Sequence, residues 1–230
     1  MPGVIDGHPL DAPVWTSLTG AHRHLAEGGG LARRYPVDVS PFCALADAAD
    51  PRAWADLRAL AGAGATALVP GLALAPPAGA RVVRDLAGVQ LVATPRLRAE
   101  PDPEAVVLGE ADVPEALALV ERTRPGPFER RTRLLGTYLG VRDGDGRLVA
   151  MAGERLHPPG FTEISAVCTD PAARGRGLAS RLVRAVAAGV LARGETPFLH
   201  AAADNPAVGL YEALGFELRR RIGFVQVELP

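Results

Sequence analysis

The stretch Ile164–Ala179, ISAVCTDPAARGRGLA, decides the fold. It begins as a strand, continues as a short glycine-rich loop, and leads into apolar residues at helical spacing from about Gly177. At such a junction several backbone N–H groups lack an intrahelical partner, and the helix dipole adds positive potential. Gly175 and Gly177 remove side chains that would block an anion, while Arg174 and Arg176 can add charge. The stretch predicts a strand–loop–helix unit that binds an anion such as a pyrophosphate.

Further elements follow from the sequence on both sides of this stretch. From residue 106 the predicted order is β-α-α-β-β-β-α-β-α-β, with a hairpin turn at Asp143–Gly146. The glycine loop follows the third strand of a meander and lacks the G-x-G-x-x-G spacing of a dinucleotide site, which argues against a Rossmann fold. Residues 1–100 are harder to interpret, although Asp50 and Pro51 begin a clear helix. The proline-rich segment 94–103 is the best linker, which predicts two units, residues 1–100 and 105–230.

Composition excludes several classes of function. The chain has 230 residues, with 25 basic and 26 acidic side chains, so its charge gives no reason to expect a nucleic acid or membrane partner. All 25 basic residues are arginine, which excludes a lysine Schiff base and a P-loop lysine. Cys43 and Cys168 are too few for a disulfide framework or a cysteine-based zinc site, and the histidines show no convincing ligand spacing, so no metal is expected.

A cytoplasmic location is expected. Met1–His8 lacks the basic and apolar regions of a signal peptide. The uncharged stretch Ala59–Ala80 has the length of a membrane span, but its prolines and glycines favour a short strand at Thr66–Val69 between turns.

A second motif makes the comparison with a known family possible. Asp204–Phe216 is predicted to be a capped helix that ends in a glycine, followed by an aromatic residue returning to the sheet. With the signature formed by Arg174, Gly177 and Ala179, residues 105–230 resemble a GCN5-related N-acetyltransferase (GNAT) domain. The resemblance implies an α/β fold: a mixed, mainly antiparallel central sheet flanked by helices, the acyl-CoA N-acyltransferase fold. Residues 1–100 would be a smaller N-terminal α/β domain, which can be a degenerate relative of the same fold.

The resemblance also implies a site for acetyl-CoA as cosubstrate. Its pyrophosphate would lie on the loop amides, and its pantetheine arm would pair with the edge of the preceding strand. The implied cofactor-binding residues are Val167, Cys168, Thr169, Arg174, Gly175, Arg176, Gly177, Leu178, Ala179, Ser180 and Asn205. Asn205 lies six residues before Tyr211 where family members commonly have seven, and Pro206 changes the geometry at the start of the helix.

Two residues are implied to be catalytic. Tyr211 occupies the position of the family's general acid, although it can also be an aromatic anchor of its helix. Glu163, eleven residues before Arg174, corresponds to a general base of histone-acetylating members, with a solvated strand-edge charge or a water as alternatives and Glu154 in reserve. Cys168 is expected to line the slot rather than act as a nucleophile.

The resemblance therefore implies that the protein is an N-acetyltransferase. The acetyl group would pass from acetyl-CoA to the primary amine of a small molecule or peptide by direct attack in a ternary complex. The alternative is a non-catalytic acyl-CoA-binding or regulatory module. The sequence leaves a monomer or a homodimer open.

Overall fold

The computed structural model describes residues 7–71, 74 and 76–230. Most of Met1–His8 and part of Ala59–Ala80 therefore lie outside the described residues. The helices are α1 (Pro13–Thr19), α2 (Pro51–Ala61), α3 (Val113–Thr123), α4 (Leu178–Ala192) and α5 (Ala207–Leu214). The strands are β1 (Ala32–Arg34), β2 (Cys43–Leu45), β3 (Thr66–Gly71), β4 (Arg81–Ala93), β5 (Val106–Val107), β6 (Tyr138–Arg142), β7 (Leu148–Glu154), β8 (Phe161–Thr169), β9 (Thr196–Ala202) and β10 (Phe216–Glu228).

An eight-stranded sheet organises the molecule. Its strand order is β3-β10-β4-β9-β8-β7-β6-β5, and β8–β9 is its one parallel pair within the described residues. Strands β1 and β2 form a separate antiparallel pair. The predicted mixed, mainly antiparallel sheet flanked by helices is confirmed. The predicted order from residue 106 is also found, with a 3-10 turn at Thr132–Leu135 as its second helix.

Helix α4 anchors one face of the sheet. Leu182, Val183, Val186 and Val190 recur at helical spacing and are fully or almost fully buried. Each contributes about 1.5–3 kcal/mol through removal of its apolar surface from water. They pack with Ile164 of β8 and with residues of β9 and α5.

The N-terminal residues cover the opposite face. Leu199 of β9 belongs to the cluster beneath α4, while its neighbour Phe198 packs with Leu10, Val14 and Phe42. Successive strand residues point to opposite faces, so the two clusters lie on opposite sides of the sheet. The first hundred residues therefore supply the cover for this face at β9.

The predicted division near residue 100 requires correction. Strands β3 and β4 precede the boundary, yet both pair with β10 at the end of the chain. Strand β4 also pairs with β9, which places it inside the large sheet. One continuous sheet thus takes strands from both predicted units, because β10 is long enough to pair along β4 and β3 at once.

The predicted linker is fixed to the domain by charge and burial. Arg181 of α4 donates two hydrogen bonds of 2.8 Å to Asp102 and a third of 2.7 Å to Glu104. The hydrogen bond from Arg181 is the main cause that lowers the pKa of Asp102. Leu97 is buried in the cluster beneath α4. The segment therefore follows the surface of α4 instead of connecting two separate bodies.

In the described part of the chain, no helix combines the length and apolar character needed to cross a bilayer.

The shared sheet predicts a single unfolding transition. Trp15 and Trp54 both lie in the first hundred residues, so tryptophan fluorescence reports that part, while hydrogen exchange of α4 and β8 amides reports the rest. We expect the two probes to give the same denaturant midpoint. Two separated midpoints would show that residues 1–100 fold as an independent unit.

Candidate active site

Strands β8 and β9 form a fork. They pair in parallel only from Phe161–Glu163 to Thr196–Phe198. Beyond Glu163 no residue of β8 pairs with β9 in the part of the chain described, although β9 continues to Ala202 with its other edge paired to β4. The edge of β8 at Val167–Thr169 therefore faces an opening, as the predicted strand-like binding of a pantetheine arm requires.

A bulge bends β8 inside this fork. The register shifts so that Ala166 and Val167 lie opposite Ala152 alone, and Ala166 has a φ of 53°. A non-glycine residue in the left-handed region carries strain, which concentrates at functional sites. No sequence pattern predicts this bulge, since alanine does not mark a left-handed position.

The loop after β8 has the open backbone that an anion needs. Asp170 caps a 3-10 turn by accepting from the Ala172 N–H at 3.0 Å. Gly175 and Gly177 follow, with φ values of 77° and 73° and no heavy atom within 4 Å of a Cβ added to either. Gly177 is the N-cap of α4, so the free N–H groups of its first turn lie beside the two glycines. The cradle fits a diphosphate.

Most of the other predicted cofactor-binding residues belong to this loop and to the first turn of α4. Arg174 and Arg176 are exposed on the loop. In the first turn of α4, Leu178 is buried, and Ala179 and Ser180 are half-buried. Asn205 accepts from the Ala207 N–H at 2.9 Å and lies one residue before Pro206, the N-cap of α5.

Tyr211 is placed as a buried phenol near Cys168. It lies on α5, packs with Phe216 at a ring distance of 6.4 Å, and is 7% exposed. Burial, with a smaller contribution from Cys168, raises the pKa of Tyr211 to about 12. The phenol therefore keeps its proton at neutral pH, as an acid must before it donates. Burial likewise raises the pKa of Cys168 to about 11, so its thiol is a poor nucleophile.

Glu163 does not have the environment of a general base. The side chain is fully buried at the last paired position of the fork. The Nε and Nη2 of Arg155 donate to its carboxylate at 2.8 and 2.6 Å, and the Nδ1 of His200 lies 2.7 Å from Oε1. Burial alone would raise the pKa of Glu163, but the Arg155 charge and hydrogen bonds, with His200, lower it to about 2. A carboxylate held in this way argues against the predicted base role.

Glu154 is also engaged. It accepts from the Nη2 of Arg193 at 2.9 Å and from the Thr137 N–H at 3.3 Å, and it is 4% exposed. Neither predicted carboxylate is free to accept a proton from a substrate. The partners Arg155 and His200 were missed at the sequence level; the alternation of Phe198 and His200 along β9 was the one available sign that His200 faces the covered side.

Comparisons with known proteins agree with this geometry. Residues 138–225, which contain the fork, the glycine loop, α4 and Tyr211, match the family model described as FR47-like protein. A GNAT-family protein from Novosphingobium aromaticivorans DSM 12444, with a crystal structure at 1.80 Å resolution, is 44% identical at a TM-score of 0.89. The similarity covers 97% of this chain and 100% of that protein, so it includes the first hundred residues.

Two further relatives show how far the similarity extends. A GCN5-related N-acetyltransferase from Kribbella flavida has a TM-score of 0.66 with 96% of each chain covered, and at 18% identity it shows the fold alone. The N-alpha-acetyltransferase RimI of Mycobacterium tuberculosis (strain ATCC 25618 / H37Rv) is 42% identical over 91 residues. That match covers 36% of this chain and 56% of RimI, so it spans about half the length of the curated relative.

The environment of Glu163 predicts a stability loss in Glu163→Gln. The substitution leaves Arg155 as a buried cation without its counter-charge. We therefore expect the free energy of unfolding at pH 7 to fall by about 3 kcal/mol or more. The folded-state pKa lies below the ordinary 4.5, so the carboxylate stabilises the fold above that pH and loses its contribution as the pH falls towards about 2. In urea titrations, the difference in free energy of unfolding between wild type and variant should therefore shrink as the pH falls through this range.

The control and a kinetic readout separate an anchor from a base. Glu217→Gln removes an exposed ion pair with Arg96 and should cost less than about 1 kcal/mol. If Glu163 were the base, the acidic limb of the amine kcat/KM profile would disappear in folded Glu163→Gln. We expect that limb to persist.

Proposed function

The chain belongs to the GCN5-related N-acetyltransferase superfamily and is an acetyltransferase, and on this premise we propose that it transfers the acetyl group of acetyl-CoA to a primary amine by direct attack. The observation that carries the proposal is the fork between β8 and β9, which opens beside the glycine cradle at the start of α4. An extended thioester-bearing arm fits the fork, and a diphosphate fits the cradle.

Acetyl-CoA supplies the acyl group as an activated thioester. In the proposed reaction the amine nitrogen forms a bond to the acetyl carbon, the carbon–sulfur bond breaks, and the departing sulfur takes a proton from Tyr211. The buried phenol is suited to this step because it is protonated at neutral pH and lies near Cys168, at the fork. Because Glu163 and Glu154 are both held in ion pairs with arginine, the proton lost by the amine passes to water.

The acceptor is proposed as a small molecule or a peptide amine. RimI is named an N-alpha-acetyltransferase, so peptide N-termini are the first acceptors to test, although that relative matches only 36% of this chain. A cytoplasmic location, and the absence of nucleic acid and membrane partners, belong to the proposal on the basis of composition and charge.

Thiol release tests the proposed reaction. Cys43 and Cys168 are free but buried, so the protein contributes little background to a thiol reagent. We expect release of CoA thiol that depends on an amine, in a panel that begins with peptides bearing free N-termini. Binding of CoA by calorimetry without thiol release across the panel would favour the alternative, a non-catalytic acyl-CoA-binding module.

Tyr211→Phe tests the acid. We expect kcat to fall by about 10²-fold or more, with little change in CoA affinity, because only the proton donor is lost. Tyr138→Phe is the matched control: that phenol is 2% exposed, and its hydroxyl has no hydrogen-bond partner among the described residues. Its removal should leave kcat and stability nearly unchanged. Equal turnover in Tyr211→Phe and wild type would remove Tyr211 from the acid role.

Gly177→Ala tests the cradle. The φ of 73° at this N-cap costs an alanine about 1–2 kcal/mol, so the loop must shift and misalign its amides. We expect the Kd for CoA to rise roughly tenfold. Gly189→Ala, at an exposed position of the same helix, should leave this Kd unchanged and stabilise the protein by up to about 1 kcal/mol. Equal Kd values for the two variants would place the diphosphate elsewhere.

A further inference from the structure

A chain of buried polar groups crosses the sheet at the vertex of the fork. It runs from Arg155 through Glu163 of β8 to His200 of β9, as described above, and continues to Gln90 of β4, whose Nε2 lies 2.9 Å from the Nε2 of His200. The Nη1 of Arg219 on β10 donates to the Oε1 of Gln90 at 2.8 Å. Four neighbouring strands of the sheet thus share one network.

The residues before α1 complete this network. Gln90 donates to the Leu10 carbonyl at 2.9 Å, and the Nη2 of Arg219 donates to Asp11 at 2.6 Å. The guanidinium of Arg155 also lies 4.9 Å from the centre of the Phe42 ring. The first hundred residues therefore contact both ends of the chain of polar groups, through Asp11 at one end and Phe42 at the other.

The orientation of the Gln90 amide is fixed twice. A guanidinium only donates, so the Gln90 oxygen must face Arg219. A carbonyl only accepts, so the Gln90 nitrogen must face Leu10. The same nitrogen faces the Nε2 of His200, which must then accept a hydrogen bond.

This orientation also fixes the form of His200. With Nε2 as an acceptor, the ring proton is on Nδ1, where it is donated to Glu163. A proton on Nε2 would face the Gln90 NH2 group, and turning that amide would break its bonds to Arg219 and Leu10. The other groups around the ring are Phe198 on its own strand and Phe224 of β10, neither of which titrates.

We propose that His200 is a positioning residue for acetyl transfer, held as the Nδ1–H tautomer between Gln90 and Glu163, and that it sets the separation of β8 and β9 where the fork opens. Glu163 is the last paired residue of β8, and His200 lies two residues beyond its partner Phe198. The Glu163–His200 bond thus joins the strands just past their last backbone pairing. This role rests on the proposed function, because it places the thioester of acetyl-CoA in that opening.

The tautomer is tested without any assay of activity. In protein labelled with ¹⁵N-histidine, we expect the His200 ring nitrogens at pH 7 to show a protonated Nδ1 and an unprotonated Nε2, with assignment by the signals missing in His200→Asn. Gln90→Leu, which removes the donor to Nε2, should change the Nε2 shift of His200. An Nε2–H tautomer in the wild-type protein would overturn the proposal.

The positioning role is tested by two substitutions of His200. His200→Leu removes the bond to Glu163, and we expect kcat to fall about tenfold or more while the CoA Kd, set mainly by the glycine cradle, changes less than about threefold. His200→Asn keeps an N–H donor near the position of Nδ1 and should recover part of kcat. Equal kcat in His200→Leu and wild type would overturn the role.

A control variant separates this role from general destabilisation. Thr132→Val removes a buried hydroxyl that donates to the Val39 carbonyl at 2.7 Å, outside the polar chain. It should lower the free energy of unfolding but leave kcat unchanged. If its kcat fell as much as that of His200→Leu, lost stability would explain both losses and the positioning role would be overturned. If the wild-type protein transfers no acetyl group, the proposed function fails, whereas the tautomer measurement still decides the network.

Discussion

A fully buried carboxylate sets the conditions for the rest of this structure. Removing Glu163 from water costs several kcal/mol unless charged and hydrogen-bonded partners replace its hydration. Arg155 and His200 supply those partners from either side, and each has to be held in place by its own neighbours. His200 is held by Gln90, Gln90 is held by Arg219, and Arg219 is paired with Asp11, before the first helix. The sheet, the fork and the N-terminal segment are therefore linked by one network.

The two faces of the sheet contain different parts of the proposed machinery. Helices α4 and α5 lie on one side with the glycine cradle and Tyr211, and their core is apolar. The other side, at β9, is covered by the first hundred residues and contains the polar network. Because β4 is placed between β10 and β9, this cover cannot separate from the sheet as an independent domain would. The similarity to the Novosphingobium protein along 97% of the chain indicates that the arrangement is shared.

Sequence reasoning succeeded where local pattern and local structure coincide. The strand–loop–helix at Ile164–Ala179, the hairpin at Asp143–Gly146 and helix α4 were all predicted, because each depends on residues close together in the chain. It was less successful at Glu163, whose partners Arg155 and His200 lie 8 and 37 residues away. The same is true of β4, which precedes the predicted boundary near residue 100 and yet belongs to the large sheet. Its neighbours in the sheet come from the last third of the chain.

The sequence by itself determined the family resemblance and placed the two loop glycines and Tyr211 within its motifs, since a motif preserves chemistry in the order of its residues. Only the tertiary structure decided that Glu163 is an ion-paired anchor, that Ala166 forms a strained bulge, and that the first hundred residues complete the central sheet. Burial and charge neutralisation depend on which groups meet across strands. The pairing of strands that are distant in the chain decides which groups meet, and residue spacing along the chain does not encode that pairing.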